Sequence, residues 1–143
     1  MKLFASLLTL LLSLGLLLNG CSSSDRGSSS EAASSPEPDK SYHKITAAQA
    51  KEMMDAGGVI IVDVRTAEEY AEKHIPGAIL VPNESIADEP PSALPDPEAV
   101  LLVYCRSGVR SRQASDKLVD LGYTNIYDFG GIIDWPYETV SGQ

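Results

Sequence analysis

Val100-Leu101-Leu102-Val103-Tyr104, then Cys105-Arg106-Ser107-Gly108-Val109-Arg110, then Ser111-Arg112-Gln113-Ala114-Ser115-Asp116-Lys117-Leu118-Val119-Asp120-Leu121-Gly122 carries the strongest structural signal in the chain. Its first five residues form an apolar run with the length and β-branched or aromatic character of a buried strand. Its last twelve carry apolar residues at helical spacing and stop at Gly122. The six residues between them read as a loop headed by a cysteine. A turn from a strand into a helix aims backbone N–H groups, and the positive end of the helix dipole, at whatever the loop holds. Here that is the Cys105 thiol, and such a setting favours the thiolate, which is the nucleophile.

Charge reinforces this reading. The chain has 11 Lys+Arg against 20 Asp+Glu, a formal net charge of −9. Arg106, Arg110 and Arg112 nevertheless fall within a few positions of one another around the cysteine. A basic mouth on an acidic protein points to an anionic substrate or a bound oxyanion. The competing reading makes Cys105 a small buried apolar residue whose neighbouring arginines only form surface ion pairs. The agreement of loop, helix and charge favours reactivity.

Around this unit, strand and helix signals alternate. A short first strand is expected at Lys44-Ile45. Thr46 with Gln49 forms a capping box ahead of a helix ending at Gly57-Gly58. Val59-Ile60-Ile61-Val62-Asp63-Val64 reads as a central parallel strand buried on both faces. Thr66 with Glu69 makes a second capping box, His74-Ile75-Pro76-Gly77-Ala78 a turn, and Ile79-Leu80-Val81 a short strand. A helical turn is expected over 83–87 and an irregular, proline-rich loop over 88–98. Asn125-Ile126-Tyr127-Asp128-Phe129 is the last expected strand, with Gly130-Gly131 as a hinge into a closing segment around Trp135. Met53, Met54 and Trp135 are expected in the core, and His43 is assigned no role. Strands separated by helices imply a parallel sheet covered on both faces, with ligands at the carboxyl ends of the strands. Cys105 lies at one such end.

Five motifs occur in order over residues 44–136: Val62-Asp63-Val64-Arg65, Glu69-Tyr70, His74-Ile75-Pro76-Gly77-Ala78, the Cys105 loop through Ser111, and Gly130-Gly131 with Trp135. Together they resemble the rhodanese family of single-domain sulfurtransferases. The resemblance implies an α/β three-layer fold, a five-stranded parallel sheet flanked by helices, and a catalytic Cys105 that becomes a persulfide. It calls for no metal and no cofactor. The thiolate would attack the outer sulfur of a small anionic donor such as thiosulfate, expel sulfite, and hold the sulfur until a thiol or cyanide acceptor removes it. Backbone N–H groups from Arg106, Ser107, Gly108, Val109 and Arg110 would stabilise the terminal sulfur anion. The Arg106 and Arg110 side chains would orient the donor's anionic end. Ser107 is expected to donate a hydrogen bond to bound sulfur, and Ser111 to cap the following helix. Asp63 and Arg65 read as a supporting ion pair, and His74 as a backbone-bonded residue of its turn.

Two other activities fit less well. Cysteine-based phosphatases, and arsenate reductases of similar fold, resemble Cys-x5-Arg; here the sixth position after Cys105 is Ser111 and the arginine falls one earlier, at Arg110. The shorter cradle suits one sulfur atom better than a phosphate. A non-catalytic rhodanese domain would serve as a docking or redox-sensing module, or as a persulfide carrier fed by a protein partner. Docking and sensing domains that have lost catalysis commonly lose the cysteine that this chain keeps; a persulfide carrier would retain it.

The N-terminal part reads differently. After Met1 and Lys2, residues 3–18 are almost wholly apolar, and Leu18-Asn19-Gly20-Cys21 follows. A basic start, an apolar core and small residues before a cut describe a secretory signal peptide over 1–20. The last four residues resemble a bacterial lipobox, which implies lipidation of Cys21 and extracytoplasmic anchoring to the cell-envelope membrane; the competing reading is an ordinary secreted protein. From 21 to 40 the chain is mostly Ser, Ala, Pro and acidic residues with no large apolar residue, and reads as a disordered tether. The domain then spans 41–143. Cys105 is left as the one free thiol, without an intramolecular disulfide partner. The acidic excess argues against nucleic-acid binding, and a monomer is expected.

Overall fold

The computed structural model describes residues 41–142. The expected signal peptide, the lipidated Cys21 and the tether lie outside the described residues. The elements are β1 (Tyr42–Lys44), α1 (Ala47–Ala56), β2 (Val59–Asp63), α2 (Ala67–Glu72), β3 (Ile79–Leu80), β4 (Val100–Cys105), α3 (Val109–Asp120) and β5 (Ile126–Gly131). Short 3-10 turns occupy Asn83–Ser85 and Ile132–Asp134. The strands form one parallel sheet in the order β1-β5-β4-β2-β3, which makes β4 the centre.

Alternation along β4 explains how both faces are filled. Leu101, Val103 and Cys105 join one core cluster, together with Ala114 and Leu118 of α3. Leu102 and Tyr104 join the other, with Ala50 of α1, Phe129 and Trp135. Each fully buried leucine here contributes about 1.5–3 kcal/mol. In α3 the buried residues are Ser111, Ala114, Ser115 and Leu118, a single stripe that turns the helix toward β4 and β5.

Both expected capping boxes are present. The Thr46 side chain accepts from the Gln49 N–H and the Thr66 side chain from the Glu69 N–H, and each partner side chain reaches back to the N–H of its threonine. Three expectations are corrected. The first strand runs over Tyr42–Lys44, starting two residues before and ending one before the expected Lys44-Ile45, because Tyr42, His43 and Lys44 pair with Ile126, Tyr127 and Asp128. Helix α3 starts at Val109 on Gly108, so Ser111 lies inside the first turn and does not cap it. Gly130 and Gly131 are not a hinge: they finish β5 and pair with Tyr104 and Cys105 across a bulge that follows Val103.

Candidate active site

Cys105 is the last residue of the central strand, not the head of the loop that follows, and it is only 1% exposed. Three residues, Arg106, Ser107 and Gly108, connect it to α3. Gly108 has φ +102°, a conformation that L side chains rarely adopt, and this turns the chain tightly enough for its own N–H to donate to Cys105 Sγ at 3.0 Å. No side chain caps α3. The first N–H groups of a helix have no intrahelical partner, so this uncapped end presents donors beside the sulfur.

The loop is seated on glycine. A Cβ at Gly131 would stand 2.3 Å from the Arg106 carbonyl oxygen and 2.7 Å from the Ser107 Cα, which only the absence of a side chain avoids. The Ile133 N–H donates to that same carbonyl oxygen at 3.3 Å. Gly131 is therefore the floor on which the loop rests.

Beneath it lies Asp128, 1% exposed, which sequence reasoning did not single out. Its carboxylate accepts from Ser111 Oγ at 2.8 Å, Tyr42 Oη at 3.1 Å and the Gly130 N–H at 2.9 Å, and pairs with Lys44 Nζ at 3.1 Å. One buried anion thus joins β1, β5 and the first turn of α3. Ser111 supports the site through this bond, with its hydroxyl also within reach of the Gly108 carbonyl oxygen at 3.1 Å.

The arginines divide by partner. Arg110 does not present a free guanidinium to an anion: its Nη1 and Nη2 donate to the two carboxylate oxygens of Glu69 at 2.7 and 2.8 Å. That hydrogen bonding, aided by the Thr66 N–H and the arginine's charge, holds the Glu69 carboxyl well below its usual range, at about 2. Glu69 was legible in the sequence as the third helical residue of a capping box and as part of the Glu69-Tyr70 motif, but not as the partner of Arg110. Arg106 is exposed and has no ion pair among the described residues. Ser107 is exposed, and Val109, at 64% exposure, stands on the rim with Ile133 at 62%.

Asp63 and Arg65 are buried and do not reach the sulfur cradle as free groups. Arg65 donates through Nε and Nη2 to Asp63, and Nη2 also reaches the Lys73 carbonyl oxygen at 2.6 Å, which ties the end of β2 to the end of α2. His74 stacks on Tyr70 with 3.7 Å between ring centroids, and its Nδ1 lies 2.8 Å from the Tyr70 carbonyl oxygen. Its backbone pairs with Val140, fastening the C-terminal segment. Beside the loop, Arg65, Glu69, Glu72, Lys73, Arg106, Ile132 and Ile133 line a cleft of about 480 Å³.

A five-stranded parallel sheet whose central strand delivers a cysteine into a short, glycine-seated turn before a helix defines a class of α/β proteins built around a cradled thiol. The rhodanese-like domain family matches residues 46–136, and the chain belongs to that family. Over 81 residues it is 36% identical to the thiosulfate sulfurtransferase PspE of Escherichia coli (strain K12), covering 57% of this chain and 78% of that one. It is 33% identical over 98 residues to a tRNA uridine(34) hydroxylase of Yersinia pestis (strain Pestoides F), but spans only 28% of that longer protein. Among solved structures, a rhodanese with anions from E. coli shares 35% identity and a TM-score of 0.53, covering 58% of this chain and 98% of that one.

Proposed function

We propose that this protein transfers sulfane sulfur from a small anionic donor of the thiosulfate type to a thiophilic acceptor through a persulfide on Cys105. The observation that carries the reading is the Gly108 N–H bonded to Cys105 Sγ at the uncapped start of α3. The Cys105 thiolate attacks the outer sulfur of thiosulfate; the new S–S bond forms as the donor's S–S bond breaks, and sulfite leaves with its electron pair. The persulfide anion takes up the same donors that faced the thiolate. Cyanide or a thiolate then attacks the terminal sulfur and regenerates the Cys105 thiolate. Near-complete burial of the cysteine fits the delivery of a single atom better than the wrapping of a tetrahedral phosphate. The Glu69 clasp on Arg110 supports the same choice, since it withholds that guanidinium from an oxyanion.

The N-terminal sequence supports an extracytoplasmic enzyme held to the cell-envelope membrane through a lipidated Cys21, with residues up to 40 as its tether. Two acyl chains on one residue would suffice for stable anchoring. The proposal is tested by thiocyanate production from thiosulfate and cyanide by the chain from residue 40 onward, beside Cys105→Ala. Turnover by the parent and none by the variant is expected; equal rates would refute the role of Cys105.

A further inference from the structure

The clasp between Glu69 and Arg110 joins two elements far apart in sequence. Glu69 already serves α2, where its Oε2 accepts from the Thr66 N–H at 3.1 Å. With both oxygens it also holds Arg110, in the first turn of α3 and close enough to Cys105 for their charges to interact. A bidentate arginine–carboxylate pair is among the stronger polar contacts and fixes orientation as well as charge. Glu84 adds a further negative charge acting on Arg110.

The remaining charges near the mouth can be matched in turn. Arg65 is paired with Asp63, Arg112 with Asp116, and Lys73 and Glu72 line the same cleft with opposite signs. Lys73 has no ion pair among the described residues but is offset by Glu72 in the cleft, so the charge left over is that of Arg106, the residue after Cys105. The cleft is also much larger than five-atom thiosulfate needs, and Ile132 and Ile133 supply an apolar wall.

We propose that Glu69 sets the charge preference of the site: by cancelling Arg110 it leaves the mouth with one net positive charge, that of Arg106, and so favours a singly charged donor of sulfane sulfur over a doubly charged one. The inference rests on the sulfur-transfer reading above. It makes Glu69 a specificity-determining and positioning residue, not one that touches the reacting atoms. With a singly charged organic thiosulfonate, R–SO2–S⁻, the Cys105 thiolate bonds to the outer sulfur, the donor's S–S bond breaks, and R–SO2⁻ leaves with the electron pair.

Glu69→Gln removes the charge and keeps a residue that a capping box accepts. A unit charge several ångströms away in a part-exposed site alters anion affinity by roughly fivefold per substrate charge. The expected result is that kcat/KM for thiosulfate rises about fivefold relative to that for methanethiosulfonate, chiefly through KM. Cys105 alkylation supplies a readout that needs no turnover: the ratio of rates with iodoacetate and with uncharged iodoacetamide should rise by a similar factor. Absence of turnover with either donor would reject sulfur transfer while the alkylation ratio still judges Glu69. Should Glu69→Gln not fold, Arg106→Gln, whose side chain makes no hydrogen bond or ion pair among the described residues, must shift both ratios the opposite way. Rates that change together, with both ratios constant, would reduce Glu69 to a loop support and overturn the proposal.

Discussion

Helices α2 and α3 both follow directly from the carboxyl ends of neighbouring parallel strands, yet they begin in opposite ways. At α2, Thr66 and Glu69 satisfy each other's N–H groups. At α3 the N-cap is Gly108, which has no side chain to offer, and an N–H of the turn is bonded to Cys105 Sγ instead. Closing a helix end with side chains stabilises it by about 1 kcal/mol. Leaving it open keeps donors available for an anion, and the stability must then come from elsewhere. Here it comes from below, through Gly131 against the loop and Asp128 against Ser111.

The contrast is most severely broken at the floor. Gly131→Ala inserts a Cβ into the Arg106 carbonyl oxygen, so the loop must shift; we expect a loss of roughly 2–4 kcal/mol in unfolding free energy and at least a tenfold fall in sulfur transfer. A variant with parental Tm and turnover would show that the loop does not depend on that seat. Ser111→Ala should destabilise by about 1–2 kcal/mol, because it leaves buried Asp128 one donor short. It should also lower kcat severalfold. Thr66→Ala sharpens the comparison: denaturant unfolding should report about 1 kcal/mol lost from the cap, with turnover almost unchanged. Equal activity losses in Thr66→Ala and Ser111→Ala would erase the distinction between the two helix ends.

The smallest effect concerns acid. The Glu69 carboxyl titrates at about 2 in the folded protein against an ordinary value of 4.5, so the unfolded chain binds its proton more readily. The clasp's contribution to stability is therefore full above about pH 4.5 and is lost as pH falls toward 2. A pair about a quarter exposed is screened by solvent, which keeps this contribution below roughly 1 kcal/mol. Thermal melts of the parent and Glu69→Gln should differ by a constant amount at neutral pH and converge near pH 2; a gap that widens on acidification would contradict the assignment.

What the sequence revealed follows from which forces are local. The apolar runs at 59–64 and 100–104 marked the two central strands, and Thr-x-x-Gln and Thr-x-x-Glu marked two helix starts, because each signal is complete within a few residues. The cysteine between a strand and a helix was legible for the same reason. Ser111 misled: a serine ahead of a helical pattern suggests a cap, but its hydroxyl is bonded to Asp128, seventeen positions away. Gly130-Gly131 looked like a hinge because nothing in the strand itself requires glycine there; the requirement comes from the Arg106 carbonyl oxygen of another segment. Asp128 and the second partner of Glu69 were invisible on the same ground, since buried carboxylates announce themselves only when the elements that enclose them meet.

The central claim is that the open end of α3 makes Cys105 a carrier of one sulfur atom. Intact mass spectrometry of the domain after thiosulfate alone, and again after cyanide, tests it most directly. A gain of about 32 Da is expected on the parent, removed by cyanide, and none on Cys105→Ala. An unchanged parent mass, or the same gain on the variant, would contradict it.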